Sequence, residues 1–185
     1  MRSLRTAILV VAVGAGLAGL AGLLAGDAAT VGATRPVWTE VKWPFPLDQW
    51  GLGQAYRCAS ADCSIEVNVY LRAKIGFCNC ATGVSDDAEL DRVGDLELYS
   101  DRWVGLADGR EIMVGHMKGR SRPYKVEMRY TPPVFAHAIG FNDKCDVAVA
   151  TVVADQHQLA AAERLALDFL NSERVVGWAE RELGL

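Results

Sequence analysis

The sequence predicts an α+β domain: an antiparallel sheet of about five to six strands with a long C-terminal helix packed on one face. Three observations carry this expectation. Short segments of alternating apolar and polar residues recur through the middle of the chain. Clusters of Gly, Pro, Asn and Asp separate several of them at hairpin spacing. Beyond Asp155 the apolar residues change to helical spacing.

The N-terminal part is of a different kind. Arg2 and Arg5 lead into an apolar run over residues 7–25, and all five cysteines lie beyond it. Residues 1–33 therefore read as a signal peptide or a single-pass membrane anchor with a short linker, and residues 34–185 as one exported domain. The length of the run is enough to span a bilayer, which favours a retained anchor. Its Ala and Gly content, and the small residues Val31, Gly32 and Ala33, favour cleavage. In either case the two arginines hold the N-terminus in the cytoplasm, and the domain faces a periplasmic or other extracytoplasmic compartment. Gly22 and Gly26 form a GxxxG pair, which the composition of the run explains without a dimer.

The exported part is the size of one ordinary domain and long enough to bury a real core. The net charge of the chain is −4 with no strongly basic block, so nucleic acid is not an expected partner.

Trp38, Trp43, Phe45 and Trp50 make the next stretch the most aromatic of the chain, and Pro44 and Pro46 keep it extended. It reads as a lead-in that closes one side of the core, or as a docking strip for a partner protein. Ile65, Val67, Val69 and Leu71 share one face of a strand over residues 65–71. Residues 75–80 are expected to return beside it. A capped helix is expected over residues 86–93, entered from Ser85. The acids Asp86, Asp87, Glu89, Asp91 and Asp95 read as its solvated face, since they lack the register of a calcium loop.

Residues 112–118 predict a strand and residues 119–123 a turn, which makes Lys118, Arg120, Arg122 and Lys125 a basic hairpin tip. Alternation resumes over residues 124–130. Residues 134–141 and 145–154 predict a hairpin around Asn142, Asp143 and Lys144. The closing helix is expected to start at Asp155 as N-cap, with Leu159, Ala162, Ala166 and Leu170 inward and an interruption at Asn171 and Ser172.

Two chemistries compete for the cysteines Cys58, Cys63, Cys78, Cys80 and Cys145. Two bridges among five cysteines leave one thiol over and allow about 15 arrangements. Cys58 with Cys63, and Cys145 with Cys78 or Cys80, is the preferred pairing. Alternatively, Cys78 and Cys80 point the same way from a strand and would present two thiolates to copper or zinc, with His116 and Met117 as accessories. The first expectation is structural disulfides and no cofactor. No Gly-x-Ser-x-Gly elbow, phosphate loop or Cys-x-x-Cys-His motif is present, and no motif points to a characterised family.

The sequence thus predicts an exported, disulfide-stabilised, non-catalytic domain that binds or supports another envelope component. Trp43, Phe45, Trp50, Arg120 and Arg122 are the candidate partner-binding residues. The alternative is a metal-handling or thiol-redox protein centred on Cys78 and Cys80. An envelope protein is the expected partner, with membrane attachment through residues 7–25 if the segment is uncleaved.

Overall fold

The computed structural model describes residues 35–185, so the export or anchor segment expected at 1–33 lies outside the described residues. Among the described residues, no helix is long and apolar enough to cross a membrane. The domain is α+β, and its sheet is larger than the sequence predicts. The described residues form eight antiparallel strands: β1 (Trp38–Val41), β2 (Gln54–Cys58), β3 (Val67–Lys74), β4 (Trp103–Gly105), β5 (Arg110–Val114), β6 (Met117–Val126), β7 (Val134–Asp143) and β8 (Asp146–Val153). Their order is β1-β2-β3-β8-β7-β6-β4, with β5 on the same edge of β6 as β4.

The added strands β1, β2 and β4 have three to five residues each. Alternation over so short a window is too weak a signal to read. They form by pairing with longer neighbours, and the shortness of β1 and β4 suits sheet edges.

Both faces of the sheet are covered. One face carries Val67, Val69, Leu71, Phe141, Ala150 and Val152 against α3 (Leu159–Leu170) and α4 (Glu173–Leu183). The other carries Tyr124, Ala136, Ala138, Val147 and Val149 against α2 (Asp87–Val93) and the segment before it. Helical cover on one face only is therefore corrected. The sequence carries a trace of this arrangement: β7 and β8 are nearly continuous apolar runs, the pattern of strands buried on both sides.

Three local expectations also change. Residues 75–80 form no strand. Gly76 has a φ of 67°, and the Asn79 side chain accepts from Ala81 N–H, so the chain turns away while β8 takes the place beside β3. The turn expected at residues 119–123 is instead the middle of β6. The real turn is Gly115-His116, where Gly115 supplies a left-handed φ of 57° and Val114 pairs with Met117. Pro123 is tolerated in the strand because it falls where the flanking edge changes from β5 to β4, and its carbonyl accepts from Leu106 N–H at 2.9 Å.

The C-terminal helix is two helices. Asn171 ends α3 by donating to the Leu167 carbonyl at 2.9 Å, while its oxygen accepts from Gly115 N–H at 2.9 Å. Ser172 then caps α4 through Val175 N–H. Asp155 makes no side-chain cap, since a 3₁₀ turn over Gln156–Gln158 precedes α3. The N-cap of α2 is Asp86, which accepts from Glu89 N–H, and not Ser85. A four-residue helix, α1 (Ser60–Cys63), follows β2.

Candidate functional site

The aromatic lead-in folds back on the sheet instead of standing free. Trp43 is buried, and its ring meets Phe45 and Tyr70 edge-on at 5.3 and 6.1 Å between centroids. Phe45 lies between Tyr70 and Tyr99 at 5.1 and 5.0 Å. Burial raises the Tyr99 hydroxyl pKa far above the ordinary tyrosine value, with neighbouring Tyr70 adding to it. Trp43 therefore acts as a core anchor, and Phe45 is half-buried in the same aromatic group. Trp50 is half-buried against Phe77 at 4.6 Å.

What remains exposed is a set of apolar residues next to that pair in the chain, here called the rim. Leu47, Leu52 and Ile75 are 73%, 65% and 57% exposed. Leu47 and Leu52 flank Trp50 in the chain, on either side of a turn where Asp48 accepts from Trp50 N–H and bridges to Gly51, while Ile75 precedes Phe77 in a second turn, where Gly76 N–H donates to Asp146. Sequence reasoning missed these three because no periodicity marks an apolar residue in a turn.

Beneath the aromatics lies a charge cluster that the sequence did not announce. Arg72 and Lys74 alternate with the apolar residues of β3, and so face the α2 side, where both are fully buried. Asp95 takes two hydrogen bonds from Arg72, at 2.6 and 2.8 Å, and a contact from Lys74 Nζ at 2.6 Å. Asp48 accepts from Arg72 at 2.7 and 2.8 Å. Lys74 also donates to the Val93 and Gly94 carbonyls and reaches Glu97 at 3.3 Å. Burial opposes the Arg72 charge, but the carboxylates of Asp95 and then Asp48 outweigh it and raise its pKa. The same carboxylate–guanidinium contact holds Asp48 below the usual range, against its partial desolvation. The cluster ties the end of α2 and the turn at Asp48 to β3, so it sets the position of the exposed rim.

Arg120 and Arg122 do not form a hairpin tip. They alternate on β6 and face α2, where Arg120 binds Asp87 and Arg122 reaches Asp87 and Asp91 at 3.4 and 3.3 Å. Arg120 also donates to the Gly109 carbonyl and Arg122 to that of Ala107, at 2.8 and 2.9 Å. Tyr124 donates to Asp91. The acidic run is only partly a solvated face: Asp86 and Asp91 are exposed, but Asp87 and Asp91 also hold α2 to β6, and Asp95 is buried.

The cysteines pair as Cys58–Cys63 and Cys80–Cys145, and Cys78 is a buried free thiol. Two disulfides point to an oxidising, extracytoplasmic environment. With Cys80 bonded to Cys145, a Cys78/Cys80 thiolate pair is not formed in this state. His116 stands exposed in the turn, 3.7 Å from Glu180, whereas the Met117 side chain enters the core. The two proposed accessories thus part company, because adjacent residues face opposite ways as the turn becomes strand. Among the described residues, no group of three His, Cys, Asp or Glu converges as metal ligands would.

Tertiary packing also assembles Ser121, His137 and Glu163, from β6, β7 and α3. Ser121 Oγ donates to Glu163 at 2.6 Å and lies 3.3 Å from His137 Nδ1, while Arg110 donates to the same carboxylate at 3.1 Å. Serine and carboxylate address one ring nitrogen, so the imidazole does not stand between them as a proton relay requires. All three are buried, and the cluster fastens α3 to the sheet.

Burial lowers the His137 pKa below 6.5, against the pull of Glu163 and with the help of Arg110. Burial works to raise the Glu163 pKa, but the Ser121 and Arg110 hydrogen bonds prevail and lower it below 4.5. In both cases the unfolded chain takes up the proton first, so stability is complete above these values and falls on acidification. The unfolding midpoint in urea should therefore drop as pH falls below about 6.5, and His137→Gln should make that drop smaller. Parallel pH profiles for the two proteins would refute it.

No known protein family matches the chain, and no curated protein is similar to it.

Proposed function

We propose that the chain is an exported domain that binds or supports another component of the cell envelope through the rim at Leu47, Leu52 and Ile75. The observation that carries this reading is the exposure of three large aliphatic side chains around the half-buried Trp50–Phe77 pair. Single exposed apolar residues need no explanation, but a group beside a fixed aromatic platform resembles the centre of a protein interface. The ion cluster below it keeps the turn rigid, which limits the ordering entropy lost on binding. Compared with the sequence reading, Trp50 stays in the surface, Trp43 and Phe45 pack on the sheet behind it, and Arg120 and Arg122 are taken up in ion pairs with α2. The two disulfides suit such a domain outside the cytoplasm. An anchor at residues 7–25, if retained, would hold it beside a membrane-bound partner.

A photoreactive residue at Leu52 in the full chain, expressed in its own envelope, tests the proposal. A discrete protein adduct is expected there, lost when Leu47 and Ile75 are changed to Asp. Position 130 serves as the control, because Tyr130 is 89% exposed on another part of the surface. No adduct at Leu52, or the same adducts at both positions, would overturn the reading.

A further inference from the structure

We propose that Cys78, Cys80 and Cys145 form an internal thiol–disulfide exchange site, in which the bond to Cys145 passes from Cys80 to Cys78 and leaves Cys80 as a reactive surface thiol. The free thiol lies against the very segment that carries the disulfide. Cys78 N–H donates to the Cys145 carbonyl at 3.0 Å, and Cys78 Sγ donates to the neighbouring Lys144 carbonyl at 3.2 Å. These two contacts lay the Cys78 backbone and thiol along the Lys144-Cys145 segment, next to the residue that carries the bond.

The two possible partners have opposite surroundings. Cys78 is buried, and its thiol pKa is pushed up to about 11 by burial, then by Glu89 and Asp146, with Arg92 opposing. Cys80 is exposed and borders a hollow of about 410 Å³ whose charged lining is His116, Lys118, Asp143 and Lys144. Asp143 lies 3.8 Å from Lys144 and Glu180 3.7 Å from His116, so Lys118 and Lys144 against Asp143 leave the lining one net positive charge. A thiolate forming at Cys80 is stabilised by those lysines, and a better-stabilised leaving thiolate departs faster.

The step is redox-neutral. Cys78 loses its proton to solvent, and its sulfur attacks Cys145 Sγ. The Cys78–Cys145 bond forms as the Cys145–Cys80 bond breaks. The electron pair leaves on Cys80 Sγ, which stays a thiolate or takes a proton from solvent. No oxidant or reductant is consumed. Burial of the attacking thiol makes the exchange slow at neutral pH, and its rate should rise about tenfold per pH unit below about 11 as the thiolate fraction grows. The exposed Cys80 thiol is then placed to form a mixed disulfide with a second thiol protein.

The test is peptide mapping of the full-length oxidised protein, incubated folded and dilute with iodoacetamide in mildly alkaline buffer, then digested without reduction. The expected product carries the alkyl group on Cys80 and a Cys78–Cys145 link. Its rate should not depend on protein concentration. Lys118→Gln together with Lys144→Gln should slow it by about 3-fold or more. Cys78→Ser should abolish it while leaving the Cys80–Cys145 link and the circular dichroism spectrum unchanged. Alkylation of Cys78 with Cys80–Cys145 intact would show simple opening around the buried thiol and overturn the proposal. Absence of any alkylation over the same period would overturn it as well.

Discussion

Asp95→Asn should destabilise the domain by about 3–5 kcal/mol, the range seen when one partner of a buried ion pair is removed. Asp95 alone receives both Arg72 and Lys74 away from solvent. Asparagine keeps the shape but removes the charge and turns an amide N–H₂ toward two cations. Arg72 would retain Asp48, and Lys74 would retain Glu97, but both of these carboxylates are partly exposed and weaker partners. Against a typical total of about 5–15 kcal/mol, the loss is large enough to read directly as a shift of the urea midpoint. Adding Lys74→Met to Asp95→Asn removes one of the stranded charges and should recover about 1 kcal/mol or more, because the two sites are coupled. A loss below about 1 kcal/mol for Asp95→Asn would mean that the cluster does not carry this part of the fold. The same variant should also weaken adduct formation at Leu52, since the cluster sets the turn that presents the rim.

The second large effect belongs to Cys145. Its bond to Cys80 spans a sequence separation of 65, while Cys58–Cys63 spans only 5. On the loop-entropy relation the long bridge contributes about 4 kcal/mol and the short one about 2. Cys145→Ala should therefore lower the non-reducing unfolding midpoint clearly more than Cys58→Ala. Cys80→Ala should be milder than Cys145→Ala, because Cys78 remains to take over the bond to Cys145. Equal losses for Cys145→Ala and Cys58→Ala would contradict the ranking. Equal losses for Cys145→Ala and Cys80→Ala would count against exchange.

The basic tip and the acidic helix show most clearly where a one-dimensional reading stops. Arg120 and Arg122 read as an exposed tip, and Asp87 and Asp91 as a solvated face, since each run seen alone has no partner. Folding brings them together across the interface of β6 and α2, so both runs become internal ties. The misplacement followed from the turn: Gly119 and Pro123 looked like turn residues, whereas Gly115 had the backbone freedom that the hairpin used. Arg72 and Lys74 carry a similar lesson. A charge at the inward position of a strand is a warning of a buried partner, and alternation from Val67, Val69 and Leu71 already assigned them to the opposite face. A helix on one face only leaves that second face without cover, and it is α2 with its flanking segments that buries it.

What the sequence determined by itself is whatever a short window can decide. Alternation in β3, the apolar runs of β7 and β8, the turn between them, the capped helix after Asp86 and the break at Asn171-Ser172 depend on neighbours a few residues away. Local backbone and side-chain preferences suffice for these. The tertiary structure alone decided which cysteine remained free, which aromatic residues became core and which remained at the surface. It also decided that Ser121, His137 and Glu163 would meet. Each of these outcomes depends on segments far apart in the chain arriving side by side, and burial and charge pairing act only after that arrival.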